Sequence, residues 1–246
     1  MLPSSPPPRL APLLAFSSFT RGTGRSTLIA ALALRLAQSK RVLVVDTDLT
    51  APKMHTLLGL GSSSAKFTLN DFFVGLTELQ DTLHVIQTHP AGSLLLIPAS
   101  DDTLQVACCL RESYRVEALF APLHALCARE KIDVVLLDMP AGLSDTTLPV
   151  IALSDALWVV MRLDVRDYEG VAVTLDVTRR LEARPMSLVV NLVQGHPLEE
   201  VEKQVSNTYG CPSYALPFVA PLTSSLESET RLSTLSSALL KQQKLY

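Results

Sequence analysis

The chain has 246 residues and a formal net charge of −3, and 48% of its residues are hydrophobic while 18% are charged. This apolar and charge-poor composition excludes an intrinsically disordered chain and a coiled coil, because both are rich in charged residues. The small negative charge excludes a protein that coats nucleic acid with its whole surface, while a local basic patch remains compatible with it.

The ends and the cysteines of the chain bear on its location. Residues 1–11 are rich in proline and lack the basic start and unbroken apolar stretch of a secretory signal, so a disordered leader is predicted there. Residues 12–246 contain neither a repeat nor a linker and are predicted to form one domain. The 4 cysteines show no CxxC spacing and are interpreted as buried thiols, so a cytoplasmic location is predicted.

Apolar runs of strand length alternate with longer stretches of helical period. Strands are predicted at residues 13–16, 41–45, 83–88, 94–98, 133–137, 156–163, 186–191 and 214–216. Helices are predicted at residues 26–38, 102–129, 147–154, 168–183, 198–209 and 225–240. This alternation is typical of parallel βαβ units, so we expect an α/β fold whose mostly parallel central sheet is covered by helices on both faces.

The loop after the first predicted strand has the composition of a phosphate-binding loop. In parallel sheets of this kind, ligands bind at the carboxyl ends of the strands. Gly22 and Gly24 allow backbone N–H groups to turn inward, and the helix that follows adds the positive end of its dipole. Arg25 stands where a cation would reach the phosphates, and Ser26 stands where a hydroxyl would bind Mg²⁺. Taken alone, the loop is also explained as a turn followed by a serine cap.

Acidic residues follow two other predicted strands. Asp46 and Asp48 end the strand at residues 41–45, and Asp138 ends the strand at residues 133–137. Each acid by itself is also explained as a cap in a turn after the strand. A cation, a hydroxyl and three acids at one edge of a sheet favour a site for a magnesium nucleotide.

The order of these motifs resembles the MinD/ParA family of deviant-Walker P-loop ATPases. That family has a loop K-G-G-x-G-K-[ST]-[ST], then a strand ending in D-x-D, then a strand followed by D-x-P-[AP]-G. The resemblance covers residues 12–235 and implies the three-layer P-loop NTPase fold. The matching stretches are residues 20–27 (TRGTGRST), 44–49 (VVDTDL), 96–100 (LIPAS), 138–142 (DMPAG), 167–170 (DYEG) and 189–191 (VVN).

The resemblance implies ATP and Mg²⁺ as ligands and assigns roles to individual residues. Ser26 together with Asp138 or Asp46 would hold Mg²⁺, and Asp48 would orient the attacking water. Asn191 would face the adenine, and Pro217 with the residues after it would cover the base. The residues that would cradle the phosphates are Gly22, Thr23, Gly24, Arg25, Ser26 and Thr27.

Two positions depart from the family pattern. Thr20 stands where the family has its signature lysine, which reaches across a dimer to the phosphates of the other copy. Arg25 stands where the family has a second lysine, and arginine keeps the charge with a wider, forked geometry. Arg21 is a candidate to supply the missing cation. The alternative is that its side chain has no such role and is simply solvated. We therefore expect nucleotide binding and leave hydrolysis open.

The resemblance implies a slow ATPase that forms an ATP-dependent homodimer and positions or regulates an unknown protein partner. The alternatives are a non-hydrolysing nucleotide sensor or scaffold, and an amidoligase or synthetase of the same fold. The tail at residues 231–246 is predicted to be a packed helix, with membrane binding as the alternative. Neither a membrane nor non-specific DNA binding is favoured, and either would place the protein at the membrane or nucleoid periphery. The candidate DNA-binding cations are Arg179, Arg180 and Arg184.

Overall fold

One sheet of eight strands organises the part of the chain that the structure describes. The structure is a computed structural model that describes residues 11–61, 65–111, 114–181, 185–218 and 226–242. The strands are β1 Leu13–Ser17, β2 Arg41–Asp46, β3 His84–His89, β4 Gly92–Ile97, β5 Val134–Asp138, β6 Ala156–Met161, β7 Met186–Val193 and β8 Ser213–Pro217. The helices are α1 Arg25–Leu36, α2 Met54–Leu57, α3 Leu69–Phe73, α4 Thr103–Arg111, α5 Phe120–Glu130, α6 Thr147–Leu153, α7 Val165–Arg180, α8 Leu198–Tyr209 and α9 Leu226–Gln242.

The sheet has the strand order β3-β4-β2-β5-β1-β6-β7-β8. Neighbouring strands are parallel except for β3 and β4, which form an antiparallel hairpin. Every residue of β1, β5 and β6 is buried because helices cover both faces of the central strands. The predicted mostly parallel sheet of an α/β fold is confirmed, and it accounts for much of the apolar composition.

The helices form two layers, one on each face of the sheet. Helices α1, α2 and α9 pack on one face, and α3 to α8 pack on the other. Leu232, Leu235 and Leu239 of α9 are 3%, 1% and 0% exposed and lie in the same core cluster as α1. The apolar stripe of the tail therefore packs against the domain, in agreement with the predicted terminal helix. Of the predicted tail, residues 243–246 lie outside the described residues.

The single helix predicted over residues 102–129 is wrong. Helix α4 ends at Arg111, a 3₁₀ turn occupies Val116–Leu119, and α5 starts at Phe120. Pro122 supplies the physical reason, because proline lacks the backbone N–H and clashes with the preceding turn inside a helix. The proline is accommodated in the first turn of α5, where no such hydrogen bond is required.

The structure also differs from the prediction at α2, at α3 and at the start of α7. Helices α2 and α3 were not predicted, although Thr68 and Asp71 form a capping box at the start of α3 and were a usable sequence signal. Helix α7 begins at Val165, three residues before the predicted start at residue 168. Its cap is Asp164, whose side chain accepts a hydrogen bond from the backbone N–H of Arg166 at 2.9 Å.

The start of the described chain and three of the four cysteines are buried. Of the predicted leader only Ala11 is described, and this residue is buried in the core, while residues 1–10 lie outside the described residues. The interpretation of all four cysteines as buried thiols is wrong for Cys108, which is exposed on α4. Burial raises the pKa of Cys127 to about 12. In the described residues no helix has the length and apolar character needed to span a membrane.

Candidate functional site

The carboxyl ends of β1, β2 and β5 meet at one edge of the sheet. Phe16 of β1 and Asp46 of β2 both pair with Asp138 of β5, so the three strands end in the same row. Thr47 fixes this row, because its backbone N–H and its hydroxyl both donate to the Asp138 carbonyl, at 2.9 and 2.8 Å. The two predicted acidic loops are therefore neighbours in space.

The predicted phosphate-binding loop connects β1 to α1 at this edge. The backbone N–H of Gly142 donates to the Ser18 carbonyl at 2.8 Å, which ties the loop to the segment after β5. Phe19 packs on Gly170 of α7, where an added Cβ would lie 2.0 Å from the Phe19 ring. Gly24 has a φ of 79° and precedes the first residue of α1. The loop is thus held by the segment after β5 and by α7, and it leads into the N-terminus of α1.

Arg25 lies at the centre of the site and is 8% exposed. Its Nε donates to Asp138 Oδ1 at 2.5 Å, and its Nη1 donates to Ser18 Oγ at 3.2 Å. Its Nη2 lies 3.5 Å from Asp48 Oδ2. One guanidinium therefore connects the loop with the acids that follow β2 and β5, which a compact lysine ammonium could not do with the same fork of donors.

Ser26 and Asp138 provide two oxygen ligands suitable for a magnesium ion. The Ser26 side chain is near enough to the Asp138 carboxylate to lower the pKa of that carboxyl, so the two groups are neighbours. Burial raises the pKa of Asp138, and the neighbouring Arg25 guanidinium opposes that rise. Mg²⁺ prefers hard oxygen ligands and takes only one or two from the protein when phosphates and water supply the rest. The donor set fits this ion, although the described residues contain no cluster of three or more His, Cys, Asp or Glu side chains able to hold a metal ion.

Asp46 organises the loop that follows β2. Its Oδ1 accepts from the backbone N–H of Asp48 at 3.1 Å, and its Oδ2 accepts from those of Lys53 and Met54 at 3.0 and 3.1 Å. Burial and the neighbouring Asp138 carboxylate raise the pKa of Asp46 to about 8, although the three backbone donors lower it. Of the two acids predicted to assist Ser26, Asp138 is the one whose pKa the Ser26 side chain lowers. Asp46 as a magnesium ligand stays a prediction.

Asp48 is held rigidly beside Arg25. Its Oδ1 accepts from the Thr50 hydroxyl at 2.9 Å and from the backbone N–H of Ala51 at 3.2 Å. These bonds orient the carboxylate so that Oδ2 faces the guanidinium of Arg25. The position that the sequence predicts for a water-orienting acid is therefore inside the site.

Asn191 packs directly against the phosphate-binding loop. Its Nδ2 donates to the Thr23 carbonyl at 2.8 Å, and the side chain is buried. Its Oδ1 is buried and has no hydrogen-bond partner among the described residues. The next residue, Leu192, has a φ of 60°, an uncommon conformation for a side chain of this size. Pro217 pairs with Val193 across β7 and β8, so the predicted base-covering segment starts beside Asn191.

Two of the predicted loop residues lie apart from this cluster of side chains. Arg21 and Thr27 are exposed, while Thr23 and Arg25 are buried. Of the segment predicted to cover the base, residues 219–225 lie outside the described residues. The remaining predicted site residues lie on the loop, on the neighbouring strands or at the end of β8, namely Gly22, Thr23, Gly24, Arg25, Ser26, Asp46, Asp48, Asp138, Asn191 and Pro217.

Sequence reasoning missed three groups that surround the loop. Ser18 contacts Arg25, and only its place directly after a buried strand could have indicated it. Burial raises the pKa of Tyr114, and Thr146 in the segment after β5 opposes that rise. Arg162 donates through Nη2 to the Thr20 hydroxyl at 3.3 Å, and this contact joins β6 to the loop across 142 residues of sequence.

A glycine-containing loop between a parallel strand and a helix, with acids on the neighbouring strand ends, defines the P-loop NTPase fold. The AAA domain family AAA_31 matches residues 12–189 of the chain. The chain belongs to this family, and its predicted resemblance to MinD/ParA-type P-loop ATPases is confirmed.

Curated relatives cover most of the chain. It is 27% identical over 204 residues to the uncharacterized ATP-binding protein MJ0547 of Methanocaldococcus jannaschii, with 82% of this chain and 72% of the relative covered. It is 27% identical over 215 residues to the chromosome-partitioning ATPase Soj of Thermus thermophilus, with 80% of this chain and 76% of the relative covered.

Solved structures share the fold at lower identity. The cell division ATPase MinD of Pyrococcus furiosus superposes with a TM-score of 0.76 at 18% identity, covering 94% of this chain and 99% of MinD. Cobyrinic acid a,c-diamide synthase of Mycobacterium smegmatis, with a bound ATP analogue and magnesium, gives a TM-score of 0.74 at 22% identity, covering 96% of each chain. These likenesses confirm the predicted three-layer fold.

Gly24 and Gly22 allow a test of how tightly Asn191 packs against the loop. Both glycines have positive φ, 79° and 80°, so alanine adds similar backbone strain at each. Only at Gly24 would the new Cβ meet Asn191 Nδ2, at 2.4 Å, while at Gly22 nothing lies within 4 Å. We expect Gly24→Ala to lower the free energy of unfolding without nucleotide by about 2 kcal/mol more than Gly22→Ala. Urea unfolding followed by circular dichroism measures both, and equal losses would contradict the packing described here.

Proposed function

We propose that the chain is an ATP-binding, slowly hydrolysing switch that dimerises with ATP and positions or regulates a partner assembly. The observation that carries this proposal is the cluster of Arg25, Ser26, Asp48 and Asp138 at the mouth of the phosphate-binding loop. Membership of the AAA_31 family supports nucleotide binding. The proposed location is the cytoplasm.

The residues of the loop would bind the phosphates. The backbone N–H groups at the start of α1 and the Arg25 guanidinium carry the positive charge that phosphate oxygens require. To contact phosphates, the guanidinium exchanges its bonds to Asp138 and Asp48 for bonds to the ligand. Ser26 and Asp138 would hold Mg²⁺, which when bound neutralises phosphate charge.

Asp48 would orient the water that attacks the terminal phosphate. Phosphoryl transfer depends mainly on positioning and on stabilisation of charge, so a carboxylate of fixed direction is suited to this role. Thr50 and Ala51 fix the direction of Oδ1, and Oδ2 is released when Arg25 turns to the phosphates.

Asn191 would recognise the adenine. Its Nδ2 is committed to the Thr23 carbonyl, whereas its buried Oδ1 accepts no hydrogen bond from the described residues. An unpaired buried acceptor is costly, and the exocyclic amine of adenine is a donor that would satisfy it. Pro217 stands at the adjacent end of β8, where it would flank the base.

The switch would act through the loops that Arg25 connects. Without nucleotide, the guanidinium holds the segments after β2 and β5 together through Asp48 and Asp138. A bound terminal phosphate removes this connection and replaces it with its own contacts, which changes the arrangement of both segments. In the proposal these segments then complete the face that binds a second copy of the chain.

The partner is proposed to be a protein assembly, with a membrane surface or non-specific DNA as further candidates. Soj of Thermus thermophilus is a chromosome-partitioning ATPase, which is the kind of role proposed here. Arg179 and Arg180 are exposed at the end of α7, where they would be available to a polyanion. The buried leucines of α9 do not present an apolar face to a membrane.

Calorimetry and light scattering test the proposal together. We expect the protein to bind ATP in the presence of Mg²⁺ by isothermal titration, and to double its mass in size-exclusion chromatography with light scattering. Released phosphate distinguishes the proposed ATPase from a non-hydrolysing sensor, which would bind and dimerise without turnover. Absence of ATP binding by the folded protein would refute the proposal.

A further inference from the structure

Arg162 is held at the entrance of the phosphate-binding loop by a buried carboxylate. The carboxylate belongs to Asp167 in the first turn of α7, which is 1% exposed. Its Oδ2 accepts from the backbone N–H of Arg162 at 2.9 Å and from Arg162 Nε at 3.2 Å. Its Oδ1 accepts from the hydroxyl of Thr20, in the loop itself. Because both oxygens of the carboxylate are used, the position of the guanidinium is fixed relative to the loop.

The guanidinium of Arg162 contacts the loop, and the same side chain also lines a cavity. Its Nη2 donates to Thr20 Oγ1 at 3.3 Å, while its side chain remains 35% exposed. Arg162 also lines a cavity of about 330 Å³ at the ends of β6 and β7, together with Leu192, Gln194 and His196. The hydrogen bonds described for its side chain use Nε and Nη2. The two N–H groups of its Nη1 therefore remain for a ligand entering beside the loop.

The free N–H groups of the Arg162 guanidinium suit a phosphate ligand. Asp167 is paired by Arg162 and the Thr20 hydroxyl, so the charges of Arg162 and Asp167 balance within the protein. Asp164 lies further away, 3.8 Å from Arg162 Nη2, and is partly exposed. A planar guanidinium with free N–H groups matches phosphate oxygens in geometry and charge. Thr20 is a neutral side chain at the start of the loop, and the β6–α7 segment places the Arg162 guanidinium beside it.

We propose that Arg162 binds the terminal phosphate of the nucleotide, with Asp167 as its positioning residue. The inference rests on the proposed nucleotide binding and deepens it, since it names a second cation of the phosphate site. Arg25 then contacts the phosphates at the end of the loop that opens α1, and Arg162 contacts them at the end that follows β1. A contact to the terminal phosphate makes the site prefer ATP over ADP.

Nucleotide selectivity tests this role, because a purely structural role would lower the affinities for ATP and ADP alike. We expect Arg162→Gln to weaken ATP binding about tenfold or more while changing ADP binding less than about threefold. Phosphate release should fall by at least about tenfold, given that an arginine at a terminal phosphate contributes 10³-fold or more in other P-loop enzymes. Arg166→Gln is the matched control, since Arg166 is an exposed arginine nearby, in the first turn of α7.

A rescue variant tests whether the preference for ATP depends on a cation at this end of the loop. Thr20→Lys combined with Arg162→Gln returns a cation to the same end of the loop and again pairs the buried carboxylate. We expect the double variant to recover the preference for ATP, and thermal unfolding without nucleotide shows whether each variant folds. If wild type binds ATP and Arg162→Gln keeps the wild-type ratio of ATP to ADP affinity, the role of Arg162 is refuted while the proposed function stands. If wild type binds no ATP, both are refuted.

Discussion

Replacing Arg25 by alanine is expected to weaken ATP binding at least about 100-fold, or about 2.7 kcal/mol of binding free energy. The substitution removes the one buried guanidinium that contacts Ser18, Asp48 and Asp138 among the described residues. It also leaves two acids close together without a cation, so their repulsion adds to that of the phosphates. Isothermal titration with Mg-ATP measures the loss.

The stability of the Arg25→Ala protein must be measured as well, because breaking a buried ion pair can lower the free energy of unfolding by about 3–5 kcal/mol. Arg25→Lys keeps the charge and is expected to retain ATP affinity within about tenfold, although an ammonium cannot reach both acids with a planar fork. Arg35→Ala changes an exposed arginine of the same helix and should leave binding unaltered. ATP binding by folded Arg25→Ala at wild-type affinity would show that Arg25 is not part of the phosphate site.

Asp48→Asn is expected to lower phosphate release by about 100-fold, in the range of a lost general base, while ATP affinity changes by less than about threefold. The amide has the same shape and can still accept from Thr50 and Ala51 through its oxygen. It no longer carries the charge that orients a water molecule and attracts its proton. The loss should therefore appear in turnover and leave binding nearly intact.

Turnover and binding of the Asp48→Asn protein are measured separately, by phosphate release under saturating Mg-ATP and by calorimetry. Asp176→Asn is the control, because it changes an exposed acid that pairs with Arg180 on α7. Equal phosphate release by Asp48→Asn and wild type would assign the water-orienting role to another residue. If wild type itself releases no phosphate above the Arg25→Ala background, the non-hydrolysing sensor becomes the better description.

The strands and the motif loops could be predicted from sequence because their signals are local. The apolar runs that became β2 and β5 end in acids, and the parallel arrangement places such ends at one edge. The same local reasoning failed where a short-range signal was overlooked, as at Pro122 in the predicted helix over residues 102–129. It also missed α3, although the capping box of Thr68 and Asp71 was present in the sequence.

The sequence predicted candidate site residues but not the contacts that the fold gives them. Arg25 was expected to serve only phosphates, whereas the fold places it against Asp138 and Asp48, which lie 113 and 23 residues away in sequence. Asn191 is predicted to face the adenine, and the fold places its Nδ2 where it donates a hydrogen bond to the Thr23 carbonyl. Such contacts depend on which strand ends are neighbours, and composition or periodicity carries no information about that.

By itself the sequence determined the mostly parallel α/β sheet, the phosphate-binding loop and the residues that end its neighbouring strands, since each follows from local periodicity and turn chemistry. Only the tertiary structure decided how the loop is held. The strand order puts β6 beside β1, so that Arg162 and Asp167 reach Thr20. The physical reason is that hydrogen bonds and ion pairs act over a few ångströms in space, whatever the separation of their residues along the chain.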